Sequence, residues 1–99
     1  MLDKNVELDI KQKIVLREED EGAFLFDPET GRICYLNELG VVLWKSCNES
    51  KKTPEQLIQE IIFIYQDVSE KRIEEDCIKF FGELGRLGFL LGKESDDDK

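Results

Sequence analysis

Histidine is absent from all 99 residues. With it go the commonest general base and every Ser–His or Cys–His nucleophilic pair. Cysteine is sparse: three residues, Cys34, Cys47 and Cys77, with no CxxC spacing. An odd number at wide intervals fits free thiols in a reducing compartment, acting as small buried hydrophobes. It does not fit a disulfide framework or a zinc cluster, so neither a metal nor any other cofactor is expected. Positive charge is also in deficit, with 14 basic residues against 23 acidic and a net charge of −9. Such a surface repels nucleic acid and anionic membranes and attracts basic segments. No apolar stretch approaches the ~20 residues of a membrane span, and the opening Met1-Leu2-Asp3-Lys4-Asn5 lacks the apolar run of a signal peptide. The expectation is a soluble, cytoplasmic protein with neither nucleic acid nor membrane as partner.

The usual chemical motifs are missing too. Gly82, Gly85 and Gly88 are spaced by two residues, but they fall inside or at the end of a helical pattern. A phosphate-binding glycine loop follows a strand and opens a helix. Glu74-Glu75-Asp76 is the densest acidic run of the helical part. Successive helical side chains point about 100° apart, so these three cannot converge on one atom and read as a solvated face. No residue is nominated as catalytic, and the chain is not expected to be an enzyme.

What is present suffices for one domain with one core: 40% hydrophobic residues, including six Phe, two Tyr and one Trp. Residues 1–12 are mostly polar, with Val6, Leu8 and Ile10 alternating. They read as an N-terminal arm, extended or flexible. Residues 13–18, 23–26 and 32–36 are short runs of β-formers. The turn between the last two, Asp27-Pro28-Glu29-Thr30-Gly31, has a proline that presets φ, an aspartate that caps and a glycine that accepts positive φ. Links this short make neighbours pair in the order one-two-three, which leaves the third strand as an open edge.

Three helices follow. Asn37 caps the first, from Glu38 to about Cys47, with Leu36 placed to pack on Val41 or Val42 across the cap. Thr53-Pro54-Glu55-Gln56 combines a capping threonine, a first-turn proline and a capping-box glutamine. The second helix then runs to about Gln66. Its apolar content, Leu57, Ile58, Ile61, Ile62, Phe63 and Ile64, predicts a position well inside the fold. Ser69 caps a longer third helix with an apolar stripe at Ile73, Cys77, Phe80, Leu84 and Leu87, widened by Ile78 and Phe81; Gly88 stops it. Phe89-Leu90-Leu91 reads as one more short extended segment. The organisation is therefore an arm (1–12), a domain (13–91) and a disordered acidic tail (92–99). The fold class is α+β, winged-helix-like: a three-stranded antiparallel sheet followed by three helices.

Binding is then the function class left standing. The third strand has no proline, and its one charge is Arg32 at the start. Edges so bare invite strand addition by another peptide, unless the arm or the C-terminal segment covers them. On the third helix Asp76, Phe80, Glu83 and Leu87 fall on one line beside the core stripe. An aromatic flanked by carboxylates there suits a ligand with apolar anchors and basic neighbours, although Phe80 can equally be core.

Placed in order, these elements resemble the PqqD-like family, also called RiPP recognition elements. The resemblance runs from about Ile14 to Leu90. It rests on Arg17, Phe26-Asp27-Pro28-Glu29-Thr30-Gly31, Tyr35-Leu36-Asn37 with Gly40, Leu43-Trp44, the Thr53 helix start, and Asp76-Cys77 with Phe80-Phe81, Leu84 and Gly88. Cys77 stands where an aliphatic residue is usual. The resemblance implies an accessory domain that binds the leader of a ribosomally made precursor peptide as an added strand. It would present that peptide to a modifying enzyme, often a radical-SAM protein. It implies peptide contacts at Ile33, Cys34, Tyr35 and Leu36 for the backbone ladder and at Asp76, Lys79, Phe80, Glu83 and Leu84 for the groove wall. A monomer or weak dimer is expected. Two other readings remain: a winged-helix DNA-binding regulator, and a module that self-associates through its free edge. For the former, residues Glu70–Arg86 carry five acidic against four basic side chains, a poor balance for a recognition helix.

Overall fold

Two glycines with positive φ, Gly22 at 86° and Gly31 at 78°, shape the two hairpins of the sheet. Here the computed structural model, which describes residues 3–91, has strands β1 (Val15–Glu18), β2 (Ala23–Phe26) and β3 (Ile33–Leu36). The expected tail of residues 92–99 lies outside the described residues. At the first hairpin the Glu19 N–H donates to the Gly22 carbonyl at 3.0 Å. At the second, the Asp27 N–H donates to the Arg32 carbonyl at 2.9 Å, and Asp27 Oδ1 accepts from the Glu29 N–H. Strand order is β1-β2-β3, antiparallel throughout. The expected meander is the observed one, with β3 at one edge.

The helices are α1 (Glu38–Glu49), α2 (Pro54–Ile64) and α3 (Glu70–Leu87). Each starts at the cap its sequence announces. Asn37, Thr53 and Ser69 accept from the backbone N–H groups of Gly40, Gln56 and Arg72, and the Thr53–Gln56 capping box is reciprocal. Gly88, at φ 88°, ends α3 in the left-handed conformation. Helix α1 runs two residues beyond the expected Cys47 and α2 stops two short of Gln66.

Two core clusters form. One lies among the helices, around Leu43, Leu57, Ile61, Cys77 and Phe81. The other joins sheet to helices through Leu25, Cys34, Leu36, Trp44, Leu84 and Phe89. Two expectations need correction here. The central apolar face of α3 is Ile73, Cys77, Phe81 and Leu84, so Phe81 rather than Phe80 is the core aromatic. Helix α2 buries only Pro54, Leu57, Ile58 and Ile61. Phe63 and Ile64, at 75% and 55% exposure, stand in solvent. The 100° step carries them off the face that meets α3, and among the described residues no further layer covers them.

The arm is ordered along the helices, not along β3. The Leu8 N–H donates to Lys52 O, the Glu55 N–H to Lys4 O, and the Lys11 N–H to Phe89 O. Ile10 bridges Leu90 in antiparallel fashion, so the C-terminal segment pairs with the arm. Lys4 contacts Glu74 at 2.6 Å, and Lys11 contacts Asp27 at 2.8 Å and Glu29 at 2.9 Å. Among the described residues no helix is long and apolar enough to cross a membrane.

Candidate functional site

Backbone pairing decides which residues of β3 are available. The Asp27–Arg32 bond sets the phase of the β2–β3 ladder, and in an antiparallel pair hydrogen-bonded and non-bonded positions alternate. Cys34 and Leu36, opposite Leu25 and Ala23, therefore turn their N–H and C=O groups towards β2. Ile33 and Tyr35 turn theirs outward, to the free edge. The first hairpin agrees: the Glu19–Gly22 bond makes Phe24 a bonded partner of Arg17, leaving its pairing with Tyr35 non-bonded. Of the four residues expected in a backbone ladder, only Ile33 and Tyr35 can supply it. Cys34 and Leu36 contribute buried side chains beneath the edge. Among the described residues, no other strand or bridge pairs with β3 on that side.

Helix α3 flanks the edge. At the start of β3, Arg32 Nη1 donates to the Leu87 carbonyl at 2.9 Å, capping the exposed end of α3. At the other end of β3, Gly40 lies so near Phe80 that a Cβ there would meet the ring at 3.0 Å and Leu36 Cβ at 3.2 Å. Strand and helix thus run in opposite senses, with Phe80 to Leu87 alongside Leu36 to Arg32. Phe80 is half-buried and touches both core clusters. Its ring stacks edge-on to Phe81 at 5.9 Å.

The remaining expected site residues divide. Leu84 is fully buried under the sheet and supports the groove from below without facing it. Glu83 is exposed and paired with Arg86, its neighbour one turn on. Both lie near Cys34, whose thiol is pushed up first by burial and then by the Glu83 carboxylate. Lys79 is exposed beside Phe80. Asp76, paired loosely with Arg72 at 3.9 Å, lies one turn, about 6 Å, beyond Phe80 and so past the end of β3. Sequence reasoning missed two members, Arg32 and Gly40, as determinants of the spacing between β3 and α3. Both fall in the stretch that carries the family resemblance, but their contacts are with α3, far along the chain.

The strip is a surface, not a cavity. A half-open cleft of about 220 Å³ lies elsewhere, lined by the arm together with Trp44, Cys47, Asn48 and the start of the α1–α2 link. Among the described residues no group of three His, Cys, Asp or Glu side chains converges as a metal site. An unpaired edge beside a half-buried aromatic is suited to an extended polypeptide.

Comparison with known proteins bears on the family and the fold. A family model described as "Coenzyme PQQ synthesis protein D (PqqD)" matches residues 22–90. No curated protein matches the chain by sequence. Three solved structures share its fold. TbiB1 in complex with the TbiA(beta) leader peptide is 26% identical, with a TM-score of 0.73 over 85% of this chain and 95% of that one. The PqqD truncation of Methylobacterium extorquens PqqCD, described as a stand-alone RiPP recognition element, is 20% identical, with a TM-score of 0.74 over 93% and 96%. Lasso peptide synthetase B1 complexed with a leader peptide is 20% identical, with a TM-score of 0.72 over 88% and 100%.

Proposed function

This chain belongs to the coenzyme PQQ synthesis protein D (PqqD) family, and we propose that it binds the leader of a ribosomally made precursor peptide along β3 and presents it to a modifying enzyme. The observation that carries the reading is the free β3 edge, with the backbone groups of Ile33 and Tyr35 turned outward beside Phe80. An added strand satisfies those groups with its own main chain, and its inward side chains reach Phe80 and Leu87. Two structural relatives are themselves leader-peptide complexes, which supports the same role here. The domain acts without chemistry of its own, in the cytoplasm, and a radical-SAM protein is the enzyme class that the family resemblance suggests. The net charge of −9 favours a leader carrying basic residues. The DNA-binding alternative gains nothing from the structure, since the exposed charges of α3, Glu70, Glu75, Asp76 and Glu83 against Lys71, Arg72, Lys79 and Arg86, form no basic excess.

The test is an NMR titration with the N-terminal segment of a short peptide encoded beside this gene. The amides of Ile33 and Tyr35 and the ring of Phe80 shift together. Phe80→Ala weakens calorimetric affinity by about 2 kcal/mol. Shifts confined to α1, or unchanged affinity in a folded Phe80→Ala, would overturn the reading.

A further inference from the structure

The side of the sheet that faces away from the helices carries two rows of side chains. Val15, Phe26 and Ile33 stand in one, and Arg17, Phe24 and Tyr35 in the next. Five of the six are large and apolar, and exposure is least on the central strand and greater on the edges, with Val15 at 49%. From β2 to β3 it goes from 39% at Phe26 to 61% at Ile33, and from 39% at Phe24 to 55% at Tyr35. The Phe24 and Tyr35 rings already form an edge-on pair at 5.4 Å. Phe24 has a neighbour on each side, whereas Tyr35 has one on β2 and none beyond. Rows of this kind gain from each further cross-strand partner, most from aromatic and β-branched ones.

Whatever strand completes the sheet also completes these rows. In either strand direction, a ligand residue standing opposite Ile33 or Tyr35 has its side chain on the same face as theirs. The residue between the two points the other way, over Cys34 and the Glu83–Arg86 pair, and the one opposite Leu36 points towards Phe80. We infer that Ile33 and Tyr35 are specificity-determining residues, which read two aromatic or β-branched side chains of the ligand, two positions apart, on the face turned away from α3. The inference rests on the leader-binding reading and narrows it. A groove on one side alone selects alternating apolar and polar residues. Here the outer face takes the residues opposite Ile33 and Tyr35 and Phe80 takes the one opposite Leu36, so the recognised segment carries two adjacent apolar residues and a third two positions from the nearer of them. A second copy of this chain is a poorer occupant of the same face, because each copy brings a net charge of −9.

The experiment uses the full chain and the same synthetic N-terminal peptide, followed by calorimetry. An alanine scan of the peptide against the unaltered protein comes first and needs no variant to fold. Sensitivity falls on two adjacent residues and a third two positions from the nearer of them. Double-mutant cycles then assign them: Ile33→Thr and Tyr35→Thr, which keep a β-former at each position, each weaken binding about fivefold. They couple to the two peptide residues that stand two positions apart, whereas Phe80→Ala couples to the residue adjoining the Tyr35 partner. Val15→Thr, two strands from the edge, leaves affinity within about twofold. Sensitivity at alternate peptide residues only, or no loss in Ile33→Thr and Tyr35→Thr, overturns the inference. So does an equal loss in Val15→Thr, or sedimentation showing that the face pairs with a second copy. If the unaltered protein shows no shift at the Ile33 and Tyr35 amides, the leader-binding reading itself has failed. If those amides shift but the parity of coupling is absent, only this inference has.

Discussion

A Cβ built on Gly22 would lie 2.2 Å from the Leu36 carbonyl oxygen and 2.7 Å from the Tyr35 hydroxyl. The Leu36 carbonyl belongs to the β2–β3 ladder, so it cannot move aside without breaking that ladder. Gly31 has a similar φ, but nothing lies within 4 Å of its would-be Cβ. The two turn glycines therefore separate backbone cost from contact cost. Gly31→Ala is expected to lose about 1 kcal/mol for its positive φ alone. Gly22→Ala is expected to lose well over 2 kcal/mol and to loosen β3, because clash adds to strain. Urea denaturation of the two variants side by side measures the difference, and equal losses would contradict the contact geometry. Both glycines are visible in the sequence as turn residues. Only the register shows that one of them faces the strand proposed to hold the peptide.

Among the elements, the arm and the second hairpin are tied through Lys11, which pairs with both Asp27 and Glu29. Lys11 Nζ reaches Asp27 Oδ2 at 2.8 Å, while Asp27 Oδ1 holds the Asx turn through the Glu29 N–H. Asp27 is buried, and the Lys11 hydrogen bond holds its carboxyl below the ordinary aspartate range. The ammonium of Lys11 is raised in turn, first by its bond to Asp27. A depressed carboxyl stabilises the fold above its unfolded value of about 4, and this is lost as pH falls through the folded value. A raised ammonium stabilises below about 10.4, and its share is lost as pH rises through the higher folded value. Asp27→Asn keeps the turn acceptor and removes the charge. It is expected to be less stable than the parent at pH 7 and to lose less on acidification to pH 3. Urea midpoints at the two pH values check this, and parallel acid losses would show that other carboxylates dominate. The arm's course also answers for the function: by pairing with Leu90 and the α1–α2 link it leaves β3 open.

For the molecule as a whole, the three thiols report how completely the core closes. Burial pushes Cys47 up to about 12 and Cys77 up to about 11, and Cys34 is raised as well. Thiolate is the reactive form, so these groups are inert in the native state at neutral pH. Alkylation at pH 8, followed by intact mass, is expected to label none of them until denaturant unfolds the chain, and then all three together. Rapid native labelling of Cys47 or Cys77 would mean that the helical cluster opens locally. Slow labelling of Cys34 that is slowed again by peptide would place it under the bound strand, next to Glu83 and Arg86.

Much of this architecture is written in short-range chemistry. Asn37, Thr53, Ser69 and Gly88 each satisfy backbone groups within about four residues, so the starts of all three helices and the stop of α3 were legible. The same holds for both hairpins, and hence for the order of the sheet and the position of its open edge. The family resemblance, carried by spaced residues from Arg17 to Gly88, supplied the class of ligand. What the sequence could not decide were choices among neighbours of equal hydrophobicity. Phe80 and Phe81 differ by one helical step, and only the packing of α3 on α2 and the sheet put Phe81 inside and Phe80 at the rim. Phe63 and Ile64 read as core from their hydrophobicity, but the helical step turns them off the buried face of α2 and leaves them exposed. The open edge at β3 is the same case at closer range. Its existence follows from two short turns, but its reactive residues, Ile33 and Tyr35, follow from the phase of a ladder. That phase is set by which carbonyl meets which amide, and only tertiary structure settles it.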